Sequence, residues 1–280
     1  MTLREWLRKG EADLSTGPHA ERARRDAETL LLHHTGKTRA WLLTHMDDDF
    51  GGCAAISFAA HLQRRMAGEP IQYITGECEF YGLPFCVTPA VLIPRPETEH
   101  LVEQALALAA RLTQPRILDV GTGSGAIAVA LAKHLTSARI SAVDFSASAL
   151  TCAEENAKRN EVGVRLLSGD LLAPVAGETF DLIVSNPPYV PEADRDMLSV
   201  EVRNYEPAEA LFAGPDGLDV YRRLIPAAFA ALTSGGFLVL EIGFGQSSSI
   251  AELLESTGFS SIAFTPDLQG IPRVVTAQRV

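Results

Sequence analysis

Residues 116–125 read RILDVGTGSG, an apolar run that passes directly into a glycine-rich bend, followed by the helical pattern IAVALAKHL. Ile117, Leu118 and Val120 give the run the character of a buried strand, and its length is too short for a helix. Glycines at such a bend let the backbone approach a ligand that side chains would hold away. Asp144 lies 23 residues after Gly121, at the end of the next strand-like run, RISAV. There it can reach the ribose hydroxyls of a nucleoside laid across the strand ends. Two ligand classes fit this much, because Gly121, Gly123 and Ala126 also satisfy the dinucleotide spacing G-x-G-x-x-G/A. Asp119 weighs against a dinucleotide: an acid just before the glycines can meet the ammonium of a methionine moiety but repels a pyrophosphate. Asp170, after the third strand, is placed either to read an adenine edge or to cap the strand end.

Outward from this unit, strands and helices alternate. VRLLS, FDLIVS and GFLVLEI are further apolar runs, and ASALTCAEENAKRN and LDVYRRLIPAAFAALT are helical. With SIAFT and RVVTAQ in the tail, and a helix over about Ser247–Thr257 between them and GFLVLEI, the count is seven strands. Continuous apolar strands alternating with helices predict an α/β fold with a mostly parallel sheet covered on both faces. Residues 95–280 are assigned to this domain. It begins with RPETEHLVEQALALAARL, read as a helix with Pro96 and acids in its first turn.

Residues 1–70 read as a small helical bundle. Thr2 and Glu5 form a capping box, a second periodic stretch follows Pro18, a third begins near Thr38, and Ala55, Phe58, Ala59, Leu62 and Met66 line one helix face. His33 and His34 are adjacent, point different ways, and read as core or surface residues rather than ligands. Residues 71–94, rich in aromatic and β-branched residues and broken by Gly76, Gly82, Pro84 and Pro89, read as a β-hairpin linker.

A chain of 280 residues, 46% hydrophobic, can bury one α/β core and a second, smaller unit. No apolar run is long enough to cross a bilayer, and the opening MTLREWLRKG mixes charges unlike a targeting peptide, so a cytoplasmic protein is expected. Cys53, Cys78, Cys86 and Cys152 are scattered without metal-ligand spacing and read as reduced, mostly buried thiols. No metal is expected. Residues 1–70 carry 10 Lys or Arg against 10 Asp or Glu, so the net charge of −11 lies entirely in residues 71–280. An acidic catalytic domain is a poor partner for phosphates, which disfavours direct nucleic-acid binding.

The strand FDLIVS runs into Asn186-Pro187-Pro188-Tyr189. The bland reading is a rigid turn. Its place, at the carboxyl end of a strand on the edge that carries the glycine loop, is where ligands bind in open α/β sheets. A planar amide nitrogen is a poor nucleophile because its lone pair is delocalised, so attack on a sulfonium methyl needs both N–H bonds held. The Asn186 side-chain oxygen and the Pro187 carbonyl can accept them, aligning the nitrogen and stabilising its developing positive charge. Pro187 and Pro188 have fixed φ and no N–H, which makes the carbonyls rigid. Tyr189 can pack its ring on the planar amide. No general base is needed, since the proton becomes acidic only as the new bond forms.

Asp119–Gly125, Asp144 and Asn186–Tyr189 together resemble the class I S-adenosylmethionine (AdoMet)-dependent methyltransferases of planar nitrogens, which modify adenine N6 or glutamine N5. Gln72-Tyr73-Ile74-Thr75-Gly76, Phe80-Tyr81-Gly82 and Leu92–Glu99 narrow the likeness to the PrmC (HemK) release factor glutamine methyltransferases. That resemblance implies a Rossmann-like fold, AdoMet as cofactor and S-adenosylhomocysteine as product. The implied substrate is the glutamine of the Gly-Gly-Gln loop of class 1 release factors, docked with help from the helical domain by a monomeric enzyme. It assigns cofactor contacts to Asp119, Gly121, Thr122, Gly123, Ser124, Gly125, Asp144, Asp170, Leu171 and Asn186. The substrate amide falls to Asn186, Pro187, Pro188 and Tyr189, with Asn186, Pro187 and Tyr189 catalytic. Leu171 stands where relatives can place an aromatic ring over adenine, so an apolar contact is expected without stacking. Arg95 and Glu97 either shape the cofactor entrance or cap a helix. The rivals are a ribosomal-protein glutamine methyltransferase, an adenine-N6 enzyme, and a binding module without catalysis.

Overall fold

Thr2 caps the first helix in the manner its spacing predicts: its hydroxyl accepts from Glu5 N–H while the Glu5 carboxylate accepts from Thr2 N–H. The computed structural model describes residues 1–280. Five helices follow from that cap, α1 (Leu3–Leu14), α2 (Ala23–Thr35), α3 (Arg39–Thr44), α4 (Gly52–Met66) and α5 (Ile71–Thr75). Leu7, Leu30, Leu31, Phe58 and Leu62 form their core, and Ala55, Phe58 and Leu62 of α4 are buried on the predicted face. His34 Nε2 and His61 Nδ1 sit 3.1 Å apart. Burial, then the neighbouring imidazoles, lower the His34 pKa to about 4, so it is neutral near pH 7.

The stretch predicted to be hairpin from 71 to 94 divides. Pro70 starts α5 and Gly76, at φ 75°, ends it, and Tyr73 and Ile74 are buried. The apolar content that read as strand therefore serves a helix. Only β1 (Glu77–Phe80) and β2 (Leu83–Cys86) pair, antiparallel. Cysteine burial also differs from expectation, since Cys152 is buried, Cys78 and Cys86 are half-buried, and Cys53 is exposed; all four are free.

A 3₁₀ turn at Pro96–Thr98 precedes α6 (Glu99–Ala109). Then come β3 (Arg116–Val120), α7 (Ala126–His134), β4 (Arg139–Asp144), α8 (Ala147–Arg159), β5 (Arg165–Ser168) and β6 (Phe180–Ser185). After β6 lie α9 (Val200–Tyr205), α10 (Asp219–Ala231), β7 (Leu232–Glu241), α11 (Ser247–Thr257), β8 (Phe259–Pro266) and β9 (Pro272–Arg279). The sheet order is β5-β4-β3-β6-β7-β9-β8, parallel through β7 and antiparallel at β9 and β8. Successive strand residues face opposite layers, as the two-residue period requires. Leu118, Ile183 and Leu238 pack with Leu224 of α10 and Leu254 of α11, whereas Ile117, Leu182 and Val239 pack with Leu101 of α6 and Val129 of α7.

The chain forms two units, Met1–Gly76 with Leu198–Tyr205, and Glu77–Met197 with Glu206–Val280. Within the first, Asp26 on α2 and Arg65 on α4 make a buried ion pair at 2.7 Å, and Arg65 also reaches Glu201 on α9 at 3.0 Å. The segment after the Asn-Pro-Pro-Tyr loop, which has no periodic signature in the sequence, thus supplies an anion to the helical unit.

Candidate active site

Strand order reverses between β3 and β6, and ligands in open α/β sheets bind at that switch point, beyond the carboxyl ends of the strands. Gly121 N–H and Thr122 N–H both donate to the Val143 carbonyl, at 2.8 and 3.0 Å, folding the loop over the end of β4. Gly121 has φ 73°, and a Cβ there would meet nothing, so the left-handed backbone and not crowding calls for glycine. Gly125, also left-handed at φ 81°, has crowding as a second reason: a Cβ would come within 3.0 Å of the Ala153 Cβ, so glycine lets α8 pack close. Asn156 of α8, wholly buried, donates from Nδ2 to the carbonyls of Ser124 at 2.8 Å and Cys86 at 2.9 Å.

A cavity opens at this edge of the sheet, where ligands bind in open α/β folds. Gly121, Thr122, Gly123, Ser124, Asp144 and Asn186 all line it, together with Pro188, Arg95 and Thr98. A second cavity shares Gly121, Asp144, Phe145 and Pro188 and adds Asp170, Leu171 and Pro187. The glycine loop and the Asn186 loop therefore face one cleft. Asp144 accepts from Gly123 N–H at 2.8 Å and from Ser146 N–H at 2.9 Å, which fixes its carboxylate at the rim. Leu171 adopts φ 47°, and Asp170 beside it is exposed and paired with Arg223. Arg95 donates to both carboxylate oxygens of Glu206 at 2.6 and 2.7 Å, anchoring it at the cavity wall.

Three residues expected at the site, Gly125, Asp119 and Tyr189, line neither cavity. Asp119 is fully buried and lines neither cavity; Thr122 Oγ1 donates to its Oδ2 at 2.6 Å, and no well-aligned hydrogen bond reaches Oδ1. Burial pushes its pKa up to about 7, against the Thr122 hydrogen bond and with some help from Asp144. It lies inside β3, on the strand that leads into the loop, and touches that loop through Thr122. Tyr189 also lines neither cavity. Its hydroxyl donates to Glu241 Oε1 at 3.2 Å, its ring packs against the core beside Gly243, and its carbonyl accepts from Gln246 Nε2 at 3.0 Å. The ring is thus withdrawn from the place where a planar amide would stack.

Phe145, Thr98 and Glu241 carry no role in the sequence reading. Phe145 directly follows Asp144 and is 60% exposed at the rim shared by both cavities, an apolar face suited to a purine. Its position after a strand-end acid is the signal that finds it. Nothing local marks Thr98 and Glu241, which are 143 residues apart and joined by a 2.6 Å hydrogen bond.

The donor set suits AdoMet: a bend of backbone amides, a fixed carboxylate for ribose hydroxyls, and an exposed ring, all on one cleft. Solved structures with this fold include a methyltransferase of Pyrococcus furiosus, at TM-score 0.54 and 21% identity over 71% of this chain and 90% of that one. Another is the Thermus thermophilus 16S rRNA N2 G1207 methyltransferase solved with AdoMet and guanosine, at TM-score 0.56 and 20% identity over 73% and 50%. Fold and site together define a class I AdoMet-dependent methyltransferase. Two family descriptions match within the chain, "PrmC N-terminal domain" over residues 5–76 and "Methyltransferase small domain" over residues 98–204. Release factor glutamine methyltransferases are similar over almost all of it. That of Moorella thermoacetica is 44% identical over 100% of this chain and 99% of its own, and that of Escherichia coli 41% over 98% of each. The Geobacter sulfurreducens enzyme is 45% identical over 91% and 89%. The chain belongs to the release factor glutamine methyltransferase family. No helix is long and apolar enough to cross a membrane.

Proposed function

We propose that this enzyme methylates the side-chain amide nitrogen of the glutamine in the Gly-Gly-Gln loop of class 1 release factors, modulating translation termination in the cytoplasm. The observation that carries this reading is that Asn186 and the glycine loop line one cavity. AdoMet, when bound, would supply an electrophilic methyl carbon on a positively charged sulfur, from which an attacking nitrogen displaces the neutral thioether of S-adenosylhomocysteine. Gly121–Gly123, Asp144, Phe145 and Leu171 hold the cofactor, Asp144 at the ribose and Phe145 and Leu171 as apolar walls for the base. Asn186 Oδ1 and the Pro187 carbonyl accept the two amide hydrogens, align the nitrogen and stabilise positive charge as it grows. Pro188 stiffens the loop, and Tyr189 acts from behind it. The helical unit docks the release factor, and the enzyme works as a monomer.

The acidic character of residues 71–280 supports a protein rather than a nucleic-acid substrate. The test is peptide mass spectrometry of a recombinant release factor after incubation with enzyme and AdoMet. A single added methyl on the Gly-Gly-Gln glutamine is expected. Methyl on any other residue, or on a ribosomal protein or adenine in preference, overturns the reading.

A further inference from the structure

The reading of Asn186 as an acceptor leaves a question of orientation. The two ends of a carboxamide have nearly the same shape, so packing alone does not decide whether oxygen or NH₂ faces the substrate. Hydrogen bonds must decide, and an NH₂ turned to the substrate would set donor against donor.

Behind Asn186 lies a buried chain of polar groups with one direction. Asn186 Nδ2 is 3.1 Å from Thr98 Oγ1, and Thr98 Oγ1 is 2.6 Å from Glu241 Oε2. Thr98 is 4% and Glu241 2% exposed, so water does not substitute for either partner. An ionised carboxylate only accepts, and a threonine hydroxyl has a single proton. That proton goes to Glu241, in the short contact usual for a hydroxyl on a carboxylate. Thr98 Oγ1 then has only lone pairs to offer Asn186, and only Nδ2 can donate to them. The amide oxygen is left facing away from Thr98.

We propose that Thr98 and Glu241 are positioning residues for methyl transfer: Glu241 sets the direction of the Thr98 hydroxyl, and Thr98 turns the Asn186 carboxamide so that its oxygen meets the substrate nitrogen. The inference rests on the acceptor role given to Asn186. Tyr189 completes the arrangement by donating to the second oxygen of Glu241 at 3.2 Å, which explains why its ring is withdrawn from the cleft.

Protonation of Glu241 would let the carboxyl donate to Thr98 and free the wire to reverse. Glu241 sits at the end of β7, facing Thr98 and Glu97 from the 3₁₀ turn, Tyr189 from the loop after β6, and Arg273 from β9; Tyr221 of α10 donates to its main-chain carbonyl at 2.7 Å. Burial raises its pKa to about 7, opposed by the Thr98 and Tyr189 hydrogen bonds and by Arg273. Methyl transfer therefore gains as pH rises through that region.

The test compares single-turnover methylation of a release factor, with AdoMet binding measured on the same samples. Thr98→Val should lower kcat roughly tenfold or more, with KM and AdoMet Kd within about threefold, and Thr98→Ser should restore it. An unchanged kcat in Thr98→Val, or no recovery in Thr98→Ser, overturns the proposal. Glu241→Gln has no ionisation to lose, so the wild-type to variant rate ratio should grow from pH 6 to pH 8; a constant ratio also overturns it. If Thr98→Val fails to bind AdoMet, the Glu241→Gln ratio decides alone. Wild-type turnover by Asn186→Ala would instead remove the acceptor role itself, a separate outcome.

Discussion

The hydroxyl of Ser185, the last residue of β6, donates to the main-chain carbonyl of Val120, the last residue of β3, at 2.6 Å. Each of these residues immediately precedes a functional loop, so one buried hydrogen bond fixes the glycine bend relative to Asn186. Ser185→Ala is expected to cost about 1 kcal/mol of stability and to lower methyl transfer more than it weakens AdoMet binding. Urea titration and single-turnover kinetics check the two parts.

Asn186 and Asp144 line the same cavity but serve different steps. Asn186→Ala is expected to largely abolish turnover while leaving AdoMet affinity mostly intact. Asp144→Ala removes a charged acceptor from a site of oriented amides and should weaken AdoMet by roughly 10- to 100-fold. Calorimetry on both variants gives the contrast; equal loss of affinity would refute the division.

Asp119 makes stability depend on pH with a definite sign. Its carboxyl, raised from 3.8 to about 7 by burial, holds a proton in the folded state that the unfolded chain releases earlier. The stabilising contribution is complete below about pH 4 and is lost as pH rises through about 7. Asp119→Asn keeps an oxygen for the Thr122 hydroxyl and cannot ionise, so the fall in urea midpoint between pH 5 and pH 8 should be shallower than in the wild type. A parallel fall in both proteins would count against this assignment.

Arg65 is 1% exposed in its side chain and serves two acids at once, Asp26 and Glu201. Truncating it strands the buried Asp26 carboxylate, whereas Glu201 is partly exposed and keeps Arg22 as a partner, and Arg65→Ala should cost about 3–5 kcal/mol in the helical unit. Replacing Arg65 and Asp26 together by Met and Leu should cost less than Arg65→Ala. Calorimetric unfolding of the three proteins tests the ordering.

The seven strands, the glycine loop and the Asn186 loop are legible because each is written in consecutive residues, as an apolar run or as the glycines or prolines that follow one. The capping box at Thr2 was legible for the same reason. Asp119 was misplaced because a sequence shows that an acid precedes a bend but not which face of the strand it takes. Residues 71–75 look like strand by composition, yet Pro70 and Gly76 bound a single helical turn. Thr98 with Glu241, and Ser185 with Val120, stayed hidden because their partners are dozens of residues away and only the sheet order brings them together.

The chain passes between its two units three times, after Gly76, after Met197 and after Tyr205. Genetic dissection at a single joint therefore never yields a whole half. A fragment ending at residue 76 lacks the octapeptide from 198 onward, and the complementary fragment carries that octapeptide with no host. Clean separation would require excising 198–205 and resealing the gap, an operation that begins nine residues beyond Tyr189.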